Sequence, residues 1–440
     1  MKSEKAEVAL VVQSTKRSWK KERVMMSKRL GWLIRLTIAC GLLVYASPDT
    51  SWAGEAGRTQ GVTKDSIKIG MFAPFSGPAS IYGKTSHMVE AIYRDVNEKG
   101  GINGRKLELV IDDSAGDPTN AAMLIKKQVE RDKVFMIHAE TVSNVVIAAL
   151  PVVKETGVPF LPQGPATSKI TEPPVRNVFA ALPSTREMAR TMADFVKSMK
   201  AKTVMVIAQK DEWGQSWYEP LMAGLKESGA TLVADEKMES TIGDATALVR
   251  IGLRSKPDVI VLITYPQPTS VFLRDAYSQG LKGPFVSSAG AQVDEQVERV
   301  GGREPVLPLI TVFNYLHPVS SPVYDKYRNL LKKYYPNDMF DATSMFGIIG
   351  TQVNIEVLRR MGNSLTWENW IKTMEGIKGF PSDTRPGPVN FKPFQPNDPS
   401  CRRGLSAAAL ATLNPDPAVP ASTPMIFTDW EGYQKALGKR

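Results

Sequence analysis

Apolar residues along this chain recur in two alternating rhythms. Short runs with a period of two, or wholly apolar, read as strands, and apolar residues at every third or fourth position read as helices. A strand is predicted over 67–71, and Met88, Ile92 and Val96 then mark one face of a helix over 82–99. Gly100-Gly101 ends it, because glycine takes a left-handed cap without steric cost. Asn103-Gly104 turns the chain into a strand over 106–111, where Leu107, Leu109 and Ile111 alternate. Asp117-Pro118 opens the next helix, the aspartate as cap and the proline in the first turn, with Ala121, Leu124, Ile125 and Val129 facing inward. A strand over 134–137, a helix ending at Thr156 and a strand over 158–161 follow.

The alternation restarts after Pro183. A helix over 185–199 places Met188, Met192, Phe195 and Met199 on one side, and a second carries Trp217, Leu221 and Leu225. Strands are predicted over 203–208, 231–234, 259–263, 285–288 and 307–313, and helices near 246–255 and 270–279. Helices over 322–335 and 342–361 come next. The tail from Pro381 is rich in Pro, Gly and Asn and holds strand-like pieces at 388–391 and 425–428. Alternating short strands and amphipathic helices predict an α/β protein of two doubly wound parallel-sheet lobes, with the chain crossing between them more than once. The lobes are assigned as 62–182 plus 318–378, and 183–317 plus 379–440 with the C-terminal tail.

Charge alters the picture only at the start. The net charge of +10 invites a nucleic-acid partner, yet residues 1–53 hold ten Lys/Arg against four acids, leaving 45 basic and 41 acidic residues elsewhere. The leader has a secretory layout: Lys28, Arg29 and Arg35, an apolar run over 36–45, Pro48, and Ser51-Trp52-Ala53 as a cleavage site after Ala53. Met25 or Met26 offers a more usual start. The apolar run is about half the ~20 residues a membrane span needs. A lipid anchor at Cys40 is disfavoured by Thr37. Cleavage would leave Cys401 as the one cysteine and exclude an internal disulfide. The expected location is the periplasm.

Catalytic constellations are poor. His87, His138 and His317 lack metal-ligand spacing, and His138 with Glu140 is a weak acid/base candidate beside a structural reading. P-loop, G-x-S-x-G and post-strand G-x-G-x-x-G motifs are missing, and Gly100–Gly104 follows a helix, the wrong order for a phosphate cradle. Cys401 reads as an incidental thiol. An enzyme is not expected, nor a cofactor or metal. In doubly wound sheets ligands lie beyond the carboxyl ends of strands, and the loops there carry Tyr82, Trp213, Trp217, Tyr265 and Phe313, each of which could be core or pocket wall.

The segment Ile69 to Pro78 (IGMFAPFSGP), then Tyr82-Gly83, Asn97 to Gly104 (NEKGGING), Asp112-Asp113, Asp117-Pro118 and Trp213-Gly214 resembles the leucine/isoleucine/valine-type periplasmic binding proteins of ABC transporters. The resemblance spans roughly 61–395. It implies a type I periplasmic binding fold with a three-crossover hinge, a small-molecule ligand in the interlobe cleft, and delivery to an inner-membrane permease. It places Ser143 at the ligand carboxylate, Gly164 at backbone contacts, and Tyr82, Trp213 and Tyr265 in the pocket. Two positions depart from the pattern. Ala166, with Thr167 beside it, replaces a threonine, and Ala289 replaces the glutamate that pairs with a ligand ammonium; Asp294 and Asp341 do not align with it. An aromatic carboxylate received by Arg186 is therefore preferred to an ordinary α-amino acid, which stays as the alternative small organic carboxylate. The candidate ligand-binding set is Ser76, Tyr82, Ser143, Gly164, Thr167, Arg186, Trp213, Tyr265 and Ala289. Alternatives are a solute-sensing module and a secreted α/β hydrolase; a nucleic-acid partner is not expected.

Overall fold

The computed structural model describes residues 60–438 apart from 78, 139, 290, 314, 316, 318, 386, 406 and 407. The residues read as a secretory leader, with the expected cleavage point after Ala53, lie outside the described residues. In the first lobe β1 (Ser66–Ala73) leads through α1 (Gly83–Glu98) to β2 (Lys106–Asp113), and α2 (Pro118–Lys126) leads to β3 (Met136–Ile137) and α3 (Ser143–Thr156). The strand order is β2-β1-β3, all parallel. Single bridges extend this sheet from Ile137 to Phe160, from Phe160 to Val178 and from Ala180 to Arg403. Ile67, Ile69, Met71 and Phe72 are all buried, the mark of a strand covered on both faces.

The second lobe opens with α4 (Thr185–Ser198), whose capping box pairs Ser184 with Glu187. Then come β4 (Thr203–Gln209), α5 (Glu212–Ser228), β5 (Thr231–Met238), α6 (Thr246–Ser255), β6 (Val259–Ile263), α7 (Pro266–Ser278), β7 (Phe285–Ser287), α8 (Val293–Val300) and β8 (Leu309–Phe313). The chain returns to the first lobe as α9 (Asp325–Tyr334), α10 (Phe346–Met361) and α11 (Trp367–Glu375). It closes with β9 (Ala409–Thr412), β10 (Met425–Phe427) and α12 (Trp430–Ala436) in the second. This sheet runs β10-β9-β8-β7-β6-β4-β5, parallel from β8 to β5 and antiparallel at β9 and β10.

Core membership locates three crossings. Leu182 packs in the first core and Met188 in the second; Val312 belongs to the second and Tyr315 to the first; Leu405 belongs to the first and Leu410 to the second. The assignment of 379–440 to the second lobe therefore needs correction, since Val389, Phe391 and Leu405 pack with the first core. Arg402 explains why: its buried guanidinium donates to Glu375 Oε1 on α11 at 2.6 Å and to Arg176 O at 3.0 Å, holding the tail on the first lobe. Elements α8, α11, α12 and β9 lie in stretches that the hydrophobic rhythm left as connections. Conversely, of 388–391 only Val389 bridges, to Phe380, and of 158–161 only Phe160 does. These segments still make backbone hydrogen bonds, Leu161 N to Ile137 O at 2.9 Å and Val389 N to Phe380 O at 2.8 Å among them, but pair at single residues only.

One buried polar network crosses the first core. Tyr93 Oη meets His138 Nδ1 at 2.7 Å, Asn354 Nδ2 donates to Tyr93 Oη at 2.8 Å, and Trp370 Nε1 donates to Asn354 Oδ1 at 3.0 Å. Burial pushes the His138 imidazole down to about 3, so it is neutral in the folded protein. A free histidine protonates near 6.5. Stability contributed by the neutral ring is therefore whole above about pH 6.5 and is lost as pH falls towards 3. We expect His138→Asn to flatten acid destabilisation over that window, checked by urea midpoints from pH 7 to pH 4; an identical slope in both proteins would contradict a buried neutral histidine.

Candidate functional site

Strand order decides where a site can form. β1 lies between β2 and β3, and β4 between β5 and β6, so each sheet reverses its winding beside its first strand. At such a reversal the flanking connections leave on opposite faces and open a crevice at the strands' carboxyl ends. The loops bordering the two crevices follow β1, β3, β4 and β6, and they carry Ser76 and Tyr82, Ser143, Trp213, and Tyr265. Gly164 and Ala289 follow the bridge at Phe160 and strand β7.

On the first lobe, Asp113 at the end of β2 accepts from the amides of Phe75 and Ser76 at 2.9 and 3.3 Å, fixing an exposed Ser76 on its loop. Tyr82 is the residue before α1, and no side chain caps that helix. Ser143 is the first residue of α3, also uncapped by a side chain, and its hydroxyl meets no partner among the described residues. The buried Glu140 organises this loop: Oε1 accepts from the amides of Thr141 and Val142, both at 2.8 Å, and Oε2 accepts from Ser114 at 2.6 Å. Its φ of 66° is a left-handed conformation that side chains rarely adopt. Burial pushes its carboxyl up. His138 and Glu140 do not form a pair; each has its own partner. Thr141 Oγ1 is buried and unpartnered. The loops of Thr141 and Gly164 touch, because a Cβ on Gly164 would meet Thr141 Cγ2 at 3.3 Å and Phe346 Cβ at 2.9 Å.

On the second lobe, Asp211 caps α5 by accepting from Gly214 N at 2.7 Å, and accepts from Gln209 Nε2 at 2.7 Å. Gln209 Oε1 in turn accepts from Tyr265 N at 2.9 Å, so one amide side chain ties the two loops together. The rings of Trp213 and Tyr265 lie 4.7 Å apart, and Trp213 and Trp217 5.7 Å. Trp217 is core, 1% exposed. Neither α7 nor α8 has a side-chain cap. Ala289 is half-buried, and its carbonyl accepts from Gln292 Nε2. The Phe313 side chain lies outside the described residues.

The two faces meet electrostatically. Burial raises the Tyr82 phenol, and the second-lobe carboxylates of Glu295 and Asp211 raise it further. Tyr265 is raised by burial, by Asp211 and by Tyr82. Burial raises Asp294 and Glu295, and Asp341 of the first lobe adds to the effect on Glu295. Asp341 is held by Lys84 at 3.0 Å. Asp211 and Glu295 were not among the sequence candidates. The aspartate had a readable signal, three residues ahead of Gly214 at a helix start, whereas Glu295 looks like any exposed helical acid.

Two candidates lie elsewhere. Arg186 gives its guanidinium to Glu172, with Nε to Oε1 at 2.9 Å, and lines a small hollow with Lys169, Glu212 and Ser216 to which Tyr82, Trp213 and Tyr265 do not contribute. Thr167 is buried and caps the turn Ser168–Ile170 rather than offering its hydroxyl to the cleft. His87 is stacked between Phe75 and Tyr335, and Cys401 is buried. Among the described residues no helix is long and apolar enough to cross a membrane, and no group of metal-ligating side chains occurs.

Two parallel-sheet lobes, three crossings and facing crevices define a type I periplasmic binding fold. The chain belongs to the periplasmic binding protein family, whose model matches residues 66–399; these are solute-binding proteins and not enzymes. Curated relatives include an amino acid binding protein of Pseudomonas aeruginosa, 27% identical over 267 residues, covering 60% of this chain and 71% of the relative. A Leu/Ile/Val-binding protein homolog of Brucella suis is 24% identical over 309 residues, covering 67% and 77%. The fold matches that of a leucine binding protein from Thermotoga maritima, with TM-score 0.64, 21% identity and 83% and 99% of the two chains covered. It also matches a fatty acid ABC transporter substrate-binding protein from Thermomonospora curvata, with TM-score 0.68, 19% identity and 87% and 97% covered.

The Gly164 contacts give a stability prediction. A methyl group there must displace Phe346 and Thr141, and overpacking of this kind costs about 1–3 kcal/mol. Gly164→Ala is expected to lower the urea midpoint accordingly, and an unchanged midpoint would show that the loops are not in tight contact.

Proposed function

We propose that this chain is the exported receptor of an ABC importer, which captures a small amine-bearing organic acid, an amino acid above all, between its lobes and presents it to the membrane permease. Export would use the leader ending at Ala53. The observation that carries the reading is the juxtaposition of Tyr82 with Asp211 and Glu295, which puts first-lobe and second-lobe groups around one space. The uncapped start of α3 with the Ser143 hydroxyl offers donors to a carboxylate, since the first amides of a helix lack internal acceptors. Trp213 and Tyr265 supply an apolar aromatic wall. The glutamate missing at Ala289 leaves a ligand ammonium without its usual partner; Asp211 and Glu295 give it countercharge from neighbouring loops. Arg186, already paired with Glu172, gives little support to an aromatic acid without an amine. The names of the Pseudomonas and Brucella relatives favour the amino-acid side.

Ligand bound to one lobe gains the other lobe's contacts only when the hinge closes, so it shifts the population towards the closed form. A ligand at about a hundredfold its Kd adds about 2.7 kcal/mol, a rise of several °C in Tm. Screening the twenty amino acids against benzoate and phenylacetate should give such a rise with one or more amino acids and not with the amine-free acids. Stabilisation by the amine-free acids alone would overturn the amine assignment. For the amino acid that binds, Ser143→Ala should weaken affinity by about tenfold or more, the worth of a hydrogen bond to a charged group. Calorimetric titration measures this, and an unchanged Kd would remove Ser143 from the site.

A further inference from the structure

Arg403 is 5% exposed, and the carboxylates nearest to it are engaged elsewhere: Glu172 pairs with Arg186, and Glu187 closes the cap at Ser184. Its guanidinium is spent on three neutral acceptors. Nη2 donates to Thr167 O at 2.9 Å, Nη1 to Leu182 O at 3.1 Å, and Nε to Thr171 Oγ1 at 3.2 Å. Thr167 and Thr171 belong to the segment that begins at Gly164 in the candidate site. Leu182 lies on the first crossing between the lobes, and Arg403 itself on the approach to the third. The backbones of these two crossings are also joined: Ala180 N donates to Arg402 O at 2.9 Å and Gly404 N to Ala180 O at 2.8 Å. The ligand-facing loop has a second tether to the first crossing, because Ala166 O accepts from Thr185 N at 2.6 Å.

We infer that Arg403 is a positioning residue that locks the ligand-facing segment 164–171 to two of the hinge crossings, so that this segment and the interlobe angle move together. The inference rests on the proposed reading of the cleft as a closing ligand site. A buried charge is costly unless its donors are satisfied, so a guanidinium kept here must hold its three acceptors in a fixed relation. The planar fork makes that relation rigid, which a lysine ammonium on a flexible stem cannot do. Arg402 contrasts with it. That side chain turns to the other side, between the rings of Phe179 and Phe394 at 4.3 and 4.9 Å and onto Glu375, and so anchors the tail within the first lobe.

The test uses the full chain without any ligand. Hydrogen–deuterium exchange is compared in the parent, Arg403→Met and Arg403→Lys, and in each background spin labels on cysteines placed at Met123 and Tyr277, exposed on opposite lobes, report the interlobe distance after Cys40→Ser and Cys401→Ser. Both substitutions should speed exchange in 164–171 and 182–187 by tenfold or more, with less than a twofold change in β4 and β6, and should broaden the distance distribution. Arg403→Lys carries the test if Arg403→Met does not fold. The inference is overturned by wild-type rates in those segments, by equal acceleration throughout both lobes, by full rescue in Arg403→Lys, or by an unchanged distance distribution. If no solute binds, the proposed function fails while these ligand-free readouts stand or fall by themselves.

Discussion

A parallel sheet cannot be wound onto both faces without a place where the winding reverses, and that reversal leaves a gap no helix can fill. Here it falls twice, beside β1 and beside β4. Towards their carboxyl ends the strands at both points are apolar and buried on both faces, Met71 to Ala73 in β1 and Val204 to Ala208 in β4, with β6 buried from Val259 to Ile263. Beyond those buried stretches, the connections at the carboxyl ends are where polar residues can stand again. Chemistry collects there by exclusion from everywhere else. Tyr82, Ser143, Trp213 and Tyr265 share no sequence motif; they share a position one step beyond a strand.

This constraint also explains how polar groups are handled around the gap. Glu140 stands directly behind the Ser143 loop, and its carboxylate is consumed by two loop amides and Ser114. Gln209 does the same on the second lobe, linking Asp211 to Tyr265. Each loop is held by a buried side chain from its own lobe, so its shape does not depend on the other lobe. Rigid faces on a hinged pair give selectivity that flexible loops would forfeit to ordering entropy.

The sequence made the α/β class, the two lobes and most strands legible, because fully buried strands and amphipathic helices leave strong periodic marks. The cap at Asp117 was equally local and was read; those at Ser184 and Asp211 are just as local but were not. What escaped depends on distant partners. β9 is a four-residue strand, Ala409–Thr412, inserted antiparallel against β8 nearly a hundred residues earlier, and its neighbourhood is rich in small residues. The boundary of the second lobe was misplaced because the contact that sets it, Arg402 with Glu375, is invisible to any window. Arg186 looked suited to a ligand carboxylate until Glu172 proved to face it. Thr167 sat beside the expected threonine position, but its side chain serves a turn. Arg402 and Arg403 stand in a stretch without hydrophobic rhythm, yet the two are among the most buried cations of the described residues.

The acidic lining bears on how closure is controlled. Burial raises the carboxyls of Asp294 and Glu295, and under the proposed reading a closing cleft would keep both out of water. Charged groups resist desolvation unless a countercharge arrives. Arg299 offsets part of this for Glu295, at 2.9 Å, but Asp211 and Asp341 add like charge around the same space. Shutting an empty cleft would therefore concentrate negative charge, whereas shutting it on an amine would neutralise some. The same carboxylates that would bind the ligand would oppose closure without it, an asymmetry that would serve the proposed importer role by separating loaded from empty receptors. A ligand lacking the amine would gain the aromatic wall and the Ser143 hydroxyl but leave the repulsion in place, so selectivity would come as much from what the closed state penalises as from what it binds.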